Sequence, residues 1–234
     1  MGGRRFLLAA MAAVGLVGAA DAEGPGLSDV RKILFLGNSI TRHGPNADLD
    51  WHGDWGMAAS APENDYAHLV ASAVAERSGR EPGILVRNIA DFERGYADYD
   101  VDEKLKDMFA FEADLVVLAI GENVPDLASP EDGARFQAGV ARILAGVRSG
   151  DRRPTVVVRS CFWPVEAKDD RLRAAAKDAG AIFVDIGDIG RDPANAARSE
   201  RPFKHEGVAG HPGDRGMKAI ADAIMGALEG VETP

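Results

Sequence analysis

Residues 115–120, Leu115-Val116-Val117-Leu118-Ala119-Ile120, form an unbroken apolar run with no polar alternation. A strand with one wet face alternates apolar and polar side chains, so a continuous run needs cover on both faces. Four further strand candidates lie at 33–36, 84–89, 155–158 and 182–184, each mostly apolar. Stretches with helical spacing lie between them. Residues 65–78 end at Gly79, and 101–111 form a second candidate. Ser129-Pro130-Glu131-Asp132 reads as an N-cap, a proline in the first turn and acids at the helix start, with the helix running to about 148. Further helices are expected over 169–179 and 214–228. Alternating strands and helices predict an α/β fold, a three-layer α/β/α sandwich with about five parallel strands and right-handed crossovers.

The length, 234 residues, suits one compact domain. A composition of 46% hydrophobic and 27% charged residues is ordinary for a globular protein and argues against intrinsic disorder. The formal net charge of -10 argues against nucleic acid as a partner, because phosphate binding needs basic surface. Arg4 and Arg5, the apolar stretch 6–19 and Ala20-Asp21-Ala22 have the form of a signal peptide, so 1–22 is read as a leader cleaved after Ala22. That stretch is short for a membrane span, and no later segment suits stable membrane insertion. The expected location is periplasmic or secreted. Residues 23–30 read as a Gly/Pro linker, and 31–234 as the folded domain. Cys161 is the only cysteine, so no internal disulfide forms, and it reads as a small buried apolar residue.

Three short segments carry candidate chemistry. Gly37-Asn38-Ser39-Ile40-Thr41 follows the first strand and places Ser39 at its tip. A serine there can face a cleft, and following N–H groups can face an anion. Gly121-Glu122-Asn123 follows the third strand, where the Asn123 amide can donate to the same anion. His211-Pro212-Gly213 leads into the last helix, and a histidine there can supply the base that a serine needs. Each segment alone is equally well a turn or a helix entry.

Together, in content and order, these segments resemble the SGNH (GDSL-like) hydrolases. Gly37-Asn38-Ser39 resembles their first block, Gly121-Glu122-Asn123 their third, and His211-Pro212 their fifth. The resemblance spans nearly the whole mature chain and implies a flavodoxin-like sandwich. It also implies a serine esterase with Ser39 as nucleophile and His211 as base. The implied oxyanion hole comprises the Ser39 N–H, the Asn123 side chain and a second-block N–H. Two positions depart from the pattern. Val208 stands where the family has an aspartate three residues before the histidine, leaving Glu206 or a backbone carbonyl to orient the imidazole. The second block, Asn88-Ile89-Ala90-Asp91-Phe92-Glu93-Arg94-Gly95, lacks a glycine at the usual spacing. The donor there is then an N–H near Glu93, or Asp91, Glu93 and Arg94 form a local charged network.

The irregular stretch 41–61 holds His43, Trp51, His52 and Trp55. Aromatic faces suit sugar rings, so His43, Trp51, Trp55 and Trp163 are candidate substrate contacts; equally, the tryptophans pack the loop onto the body. The same loop resembles that of bacterial SGNH proteins, some associated with carbohydrate. That favours a small-molecule or glycan ester, an O-acetyl group in particular. A lipase or thioesterase with the same site is the alternative, as is a non-catalytic glycan-binding protein. No cofactor is expected. The spacing of His43, Asp48, Asp50, His52 and Asp54 matches no zinc or calcium pattern, so no metal is expected either. Asp98, Asp100 and Asp102 read as a helix start, His68 as structural, and His205 as a neighbour of the site. Oligomeric state is left open by the sequence.

Overall fold

The five apolar runs are the strands of one parallel sheet in the computed structural model, which describes residues 26–232. The leader expected over 1–22 lies outside these residues. The strands are β1 (Lys32–Gly37), β2 (Gly83–Asn88), β3 (Leu115–Ala119), β4 (Thr155–Arg159) and β5 (Ile182–Val184). Their order is β2-β1-β3-β4-β5, with every neighbouring pair parallel. The helices are α1 (Tyr66–Ser78), α2 (Ala90–Gly95), α3 (Val101–Lys104), α4 (Lys106–Phe109), α5 (Pro130–Gly146), α6 (Glu166–Asp178), α7 (Gly187–Arg191), α8 (Glu206–Ala209) and α9 (Asp214–Glu232).

Successive side chains of the central strands enter opposite layers. Ile33 and Phe35 of β1, with Leu115, Val117 and Ala119 of β3, meet α1 and α9. Leu34 and Leu36, with Val116 and Leu118, meet α5 and α6. This double burial is why the runs show no alternation. Truncating one of the fully buried leucines or Ile33 among these to alanine costs about 2–5 kcal/mol.

Local signals set the helix ends. The Asp65 carboxylate accepts from the His68 N–H at the start of α1, and Gly79 closes that helix in the left-handed region at φ 69°. Ser129 accepts from the Asp132 N–H at the start of α5, with Pro130 in the first turn. Two expectations are corrected. The helix expected over 101–111 is two short helices, because Leu105 leaves helical geometry and turns into the core beneath α5. Within 23–30, read as linker, Leu27 and Val30 are buried against α1 and form part of the core.

The strand order places the site. The chain runs from β1 outward to β2 and then returns to the other side of β1 as β3. The tips of β1 and β3 therefore flank a topological switch point, the crevice where open parallel sheets bind ligands. Ser39 follows β1, and Gly121-Glu122-Asn123 follows β3.

Candidate active site

Gly37 ends β1 at a point too crowded for any other residue. A Cβ there would strike Thr41 Oγ1 and lie 2.8 Å from the Ala119 carbonyl oxygen of β3. The chain can therefore turn sharply, with the Thr41 and Arg42 N–H groups donating to the Asn38 carbonyl at 3.0 and 2.9 Å. Thr41 Oγ1 and the buried Tyr66 hydroxyl, 2.7 Å apart, anchor the turn to α1. Ser39 is left at the crest, half-buried, and its carbonyl accepts from Met57 N at 2.8 Å.

His211 reaches this serine from the loop between α8 and α9. Its Nε2 lies 2.8 Å from Ser39 Oγ. Its Nδ1 lies 2.7 Å from the Gly207 carbonyl oxygen. A carbonyl only accepts, so Nδ1 carries the proton and Nε2 presents its lone pair to the serine hydroxyl. Burial lowers the His211 pKa, the Gly207 carbonyl and the Glu122 charge oppose that shift without cancelling it, and the nearby His43 and His205 add to it. The imidazole at rest is therefore neutral, as a general base requires.

Glu206 does not hold this histidine. Its side chain is 80% exposed and pairs with Arg198, while its neighbour Gly207 supplies the carbonyl. Val208, two residues further on, is buried with Trp51, Met57, Ala58 and Ala197. A position where the family carries a carboxylate here packs the loop 41–61 against the body.

Glu93 is also corrected. Its N–H is turned into the first turn of α2, donating to Ile89 O at 3.4 Å. Its carboxylate is the part that meets the site residues. Glu93 is fully buried and accepts from the Gly121 N–H at 2.5 Å, Asn38 Nδ2 at 3.0 Å and Asn123 Nδ2 at 2.6 Å. Asp91 and Arg94 stay outside this set, with Asp91 facing Lys104 and Arg94 reaching Asn123 Oδ1 at 3.5 Å. Beside Glu93 lies Glu122, which accepts from Asn38 Nδ2 at 2.6 Å, Phe162 N at 2.9 Å and Arg159 Nη1 at 2.6 Å.

Asn38 thus places both amide hydrogens on carboxylates, and its Oδ1 accepts from Ile40 N at 3.1 Å. An aspartate there would add a third buried negative charge. Burial and the Glu122 charge push the Glu93 carboxyl up, against the hydrogen bonds it accepts. Burial acts the same way on Glu122, but the Arg159 guanidinium and its hydrogen bonds more than offset it and hold Glu122 below the usual carboxylate range. Asn38, Glu122, Arg159 and the Gly207 carbonyl carry no residue-type signal that marks them as site groups. The one sequence clue is the charge ending the apolar run Val156-Val157-Val158-Arg159.

The loop 41–61 is ordered by its tryptophans. Their rings meet edge to face at 5.5 Å, Trp51 Nε1 donates to His43 O, and Trp55 Nε1 donates to Ala59 O. Trp51 is only 7% exposed, so its ring is packing and not a surface for substrate. Trp55, half-buried, packs against it in the same way. Trp163 differs, since it is 39% exposed and its ring lies 5.1 Å from that of His211, edge to face. His43 is half-buried, with Nδ1 2.6 Å from Gly44 O. His205 caps α8 by accepting from Gly207 N, and His68 is bound to Asp65. Asp100 caps α3. Cys161 is buried, and burial pushes its thiol far up, away from thiolate chemistry. Among the described residues no group of three or more His, Cys, Asp or Glu is placed to hold a metal ion, and no helix is long and apolar enough to cross a membrane.

A serine and a neutral histidine at the switch point of a parallel sheet, beside an asparagine amide, have the form of a serine hydrolase site. The sequence model of the GDSL-like lipase/acylhydrolase family matches residues 35–219, and the chain belongs to that family of hydrolases acting on esters. A search of curated protein sequences finds no match. Among solved structures, the lipase Lip_vut3 from a goat rumen metagenome aligns with TM-score 0.53 and 13% identity, covering 84% of this chain and 96% of that one. A carbohydrate esterase whose active site displays divergent catalytic and non-catalytic binding functions aligns with TM-score 0.52 and 12% identity, covering 89% and 67%. An acetyl xylan esterase, Est2A from the rumen bacterium Butyrivibrio proteoclasticus, aligns with TM-score 0.50 and 15% identity. That last match covers 86% of this chain and 64% of the esterase, so the chain spans less than two thirds of that protein. At such identities the likeness is one of fold.

Proposed function

We propose that the protein is an exported serine esterase that removes small acyl groups, O-acetyl in particular, from carbohydrate. The observation that carries this reading is the 2.8 Å contact between Ser39 Oγ and a His211 Nε2 whose tautomer a backbone carbonyl fixes. Ser39 Oγ attacks the ester carbonyl as its proton passes to His211 Nε2. The carbonyl oxygen becomes an oxyanion facing the Ser39 N–H and the free N–H of the Asn123 amide. The imidazolium then protonates the leaving sugar hydroxyl, and the acyl group stays on Ser39. Water, deprotonated by the same nitrogen, attacks the acyl-serine, and the imidazolium returns that proton to Ser39 Oγ as the acid leaves. Each oxyanion donor contributes roughly 3 kcal/mol to the transition state.

Carbohydrate is favoured by the exposed Trp163 ring beside His211, on which a sugar ring can stack, with His43 as the polar neighbour. The two esterase structures above favour the same class. The leader sequence over 1–22 supports export to the periplasm or beyond; N-terminal sequencing of the mature protein should begin at Glu23.

The test is hydrolysis of p-nitrophenyl acetate, butyrate and octanoate by residues 23–234, beside Ser39→Ala, followed by acetylated xylan. Serine-dependent turnover that falls with chain length supports the reading. Turnover that rises with chain length moves the substrate to lipid esters, the reading that the lipase-like fold favours. No serine-dependent turnover on any ester leaves a binding protein on an esterase fold.

A further inference from the structure

We propose that the buried Glu93 carboxylate is a positioning residue, which orients the Asn123 amide so that one N–H stays aimed at the oxyanion of the ester reaction. This inference rests on the Ser39–His211 reading above.

Every group that hydrogen-bonds to the Glu93 side chain is a donor. The Gly121 N–H, Asn38 Nδ2 and the Asn123 N–H, the last at 3.4 Å, approach Oε1, and Asn123 Nδ2 approaches Oε2. Only a group that accepts at both ends satisfies all of them, and an ionised carboxylate does so. On the other side of the Asn123 amide lies the Arg94 guanidinium, 3.5 Å from Oδ1. An asparagine amide can turn over at little steric cost, since its two ends have nearly the same shape. Here the turned form would set oxygen against carboxylate and nitrogen against guanidinium. The flanking charges therefore choose one orientation, with a single Nδ2 hydrogen spent on Glu93 and its twin left for the substrate oxygen. The 2.6 Å contact is short enough for a charge-assisted bond, and full burial removes competition from water.

The same carboxylate ties the nucleophile to this donor. Asn38 precedes Ser39 directly, and Gly121 and Asn123 lie on the tip of β3. Glu93 bonds to all three, and so fixes the gap between the attacking oxygen and the oxyanion donor. Preorganised donors of this kind account for much of an enzyme's rate, because they need not reorient during the reaction.

Glu93→Gln tests the proposal. It keeps the shape of the side chain and replaces one acceptor oxygen by a donor. With oxygen kept towards Gly121 and Asn38, the new amide nitrogen opposes Asn123 Nδ2, and the Asn123 amide turns over. The expected result is a fall in kcat of about 10²-fold with KM close to wild type. In an Asn123→Ala background, Glu93→Gln should cost nothing further. An equal loss in both backgrounds, or a loss carried by KM, overturns the proposal.

A second readout needs neither turnover nor a folded variant. In the wild-type 15N–1H spectrum, one Asn123 side-chain proton, assigned by through-bond correlation to the Asn123 backbone, should lie well downfield of its twin. Two protons at the shifts of exposed amides overturn the proposal. A downfield proton without Ser39-dependent turnover overturns the esterase reading and upholds the hydrogen bond.

Discussion

The two flanks of Ser39 are built in opposite ways. On one flank His211 sits half-buried on a loop, and its ring nitrogens meet the serine hydroxyl and an uncharged backbone carbonyl. On the other, Asn38, Glu93, Glu122 and Arg159 form a buried ionic network at the tips of β1, β3 and β4. The difference follows from what each flank must do. A general base changes charge in every turnover, so its holder should fix the tautomer without pinning the proton. The Gly207 carbonyl does this, while burial keeps the imidazole neutral at rest. The oxyanion flank must not change at all. Ions in a low-dielectric interior are rigid, since moving one away from its partners exposes an uncompensated charge. Val208 completes the contrast, because the position of the missing carboxylate is given to packing against Trp51.

The comparison can be broken or sharpened at several points. Ser39→Ala should lower kcat/KM for p-nitrophenyl acetate by about 10⁴-fold or more while thermal unfolding stays cooperative. Residual activity near wild type would remove the nucleophile from the loop flank. Arg159→Met should lower the unfolding free energy in urea by about 3–5 kcal/mol, because Glu122 is left as a buried, uncompensated charge. A change below about 1 kcal/mol would mean that the network is not ionic. Asn123→Ala should lower kcat by about 10²–10³-fold with little change in KM, measured on the acetate ester.

The pH profile of kcat/KM probes the base flank. Activity needs neutral His211, and burial makes its imidazolium costly, so protonation is displaced to lower pH. The acid limb should therefore lie below the ordinary histidine value of about 6.5. An acid limb above that value would signal a carboxylate partner for His211. The smallest effect is expected from Glu206→Gln, which should leave turnover within about twofold of wild type, since that side chain faces Arg198 and solvent. A loss equal to that of His211→Ala would return Glu206 to the site.

The fold was legible because its signal is local. Runs such as 115–120 lack alternation only when both faces are covered, and Asp65, Gly79 and Ser129 mark helix ends by the hydrogen bonds and backbone angles those residues favour. Ser39, Asn123 and His211 were legible only together, since each segment alone reads equally well as a turn or a helix entry and it is their content and order that resemble the family's blocks. The reading over 101–111 fell short at Leu105, because burial under α5 overrides helical spacing, which a sequence window cannot sense.

The sequence by itself determined a parallel α/β sheet, the family, and which serine, asparagine and histidine are candidates. Only the tertiary structure decided what holds them. It replaced Glu206 with the Gly207 carbonyl, turned Trp51 from a substrate contact into packing, and moved the role of Glu93 from its N–H to its carboxylate. The physical reason is the same in each case. Strands and helices are selected by neighbours a few residues away, whereas a carbonyl that any residue could supply, or a carboxylate partnered 28–55 residues away in the chain, is selected by distance in space.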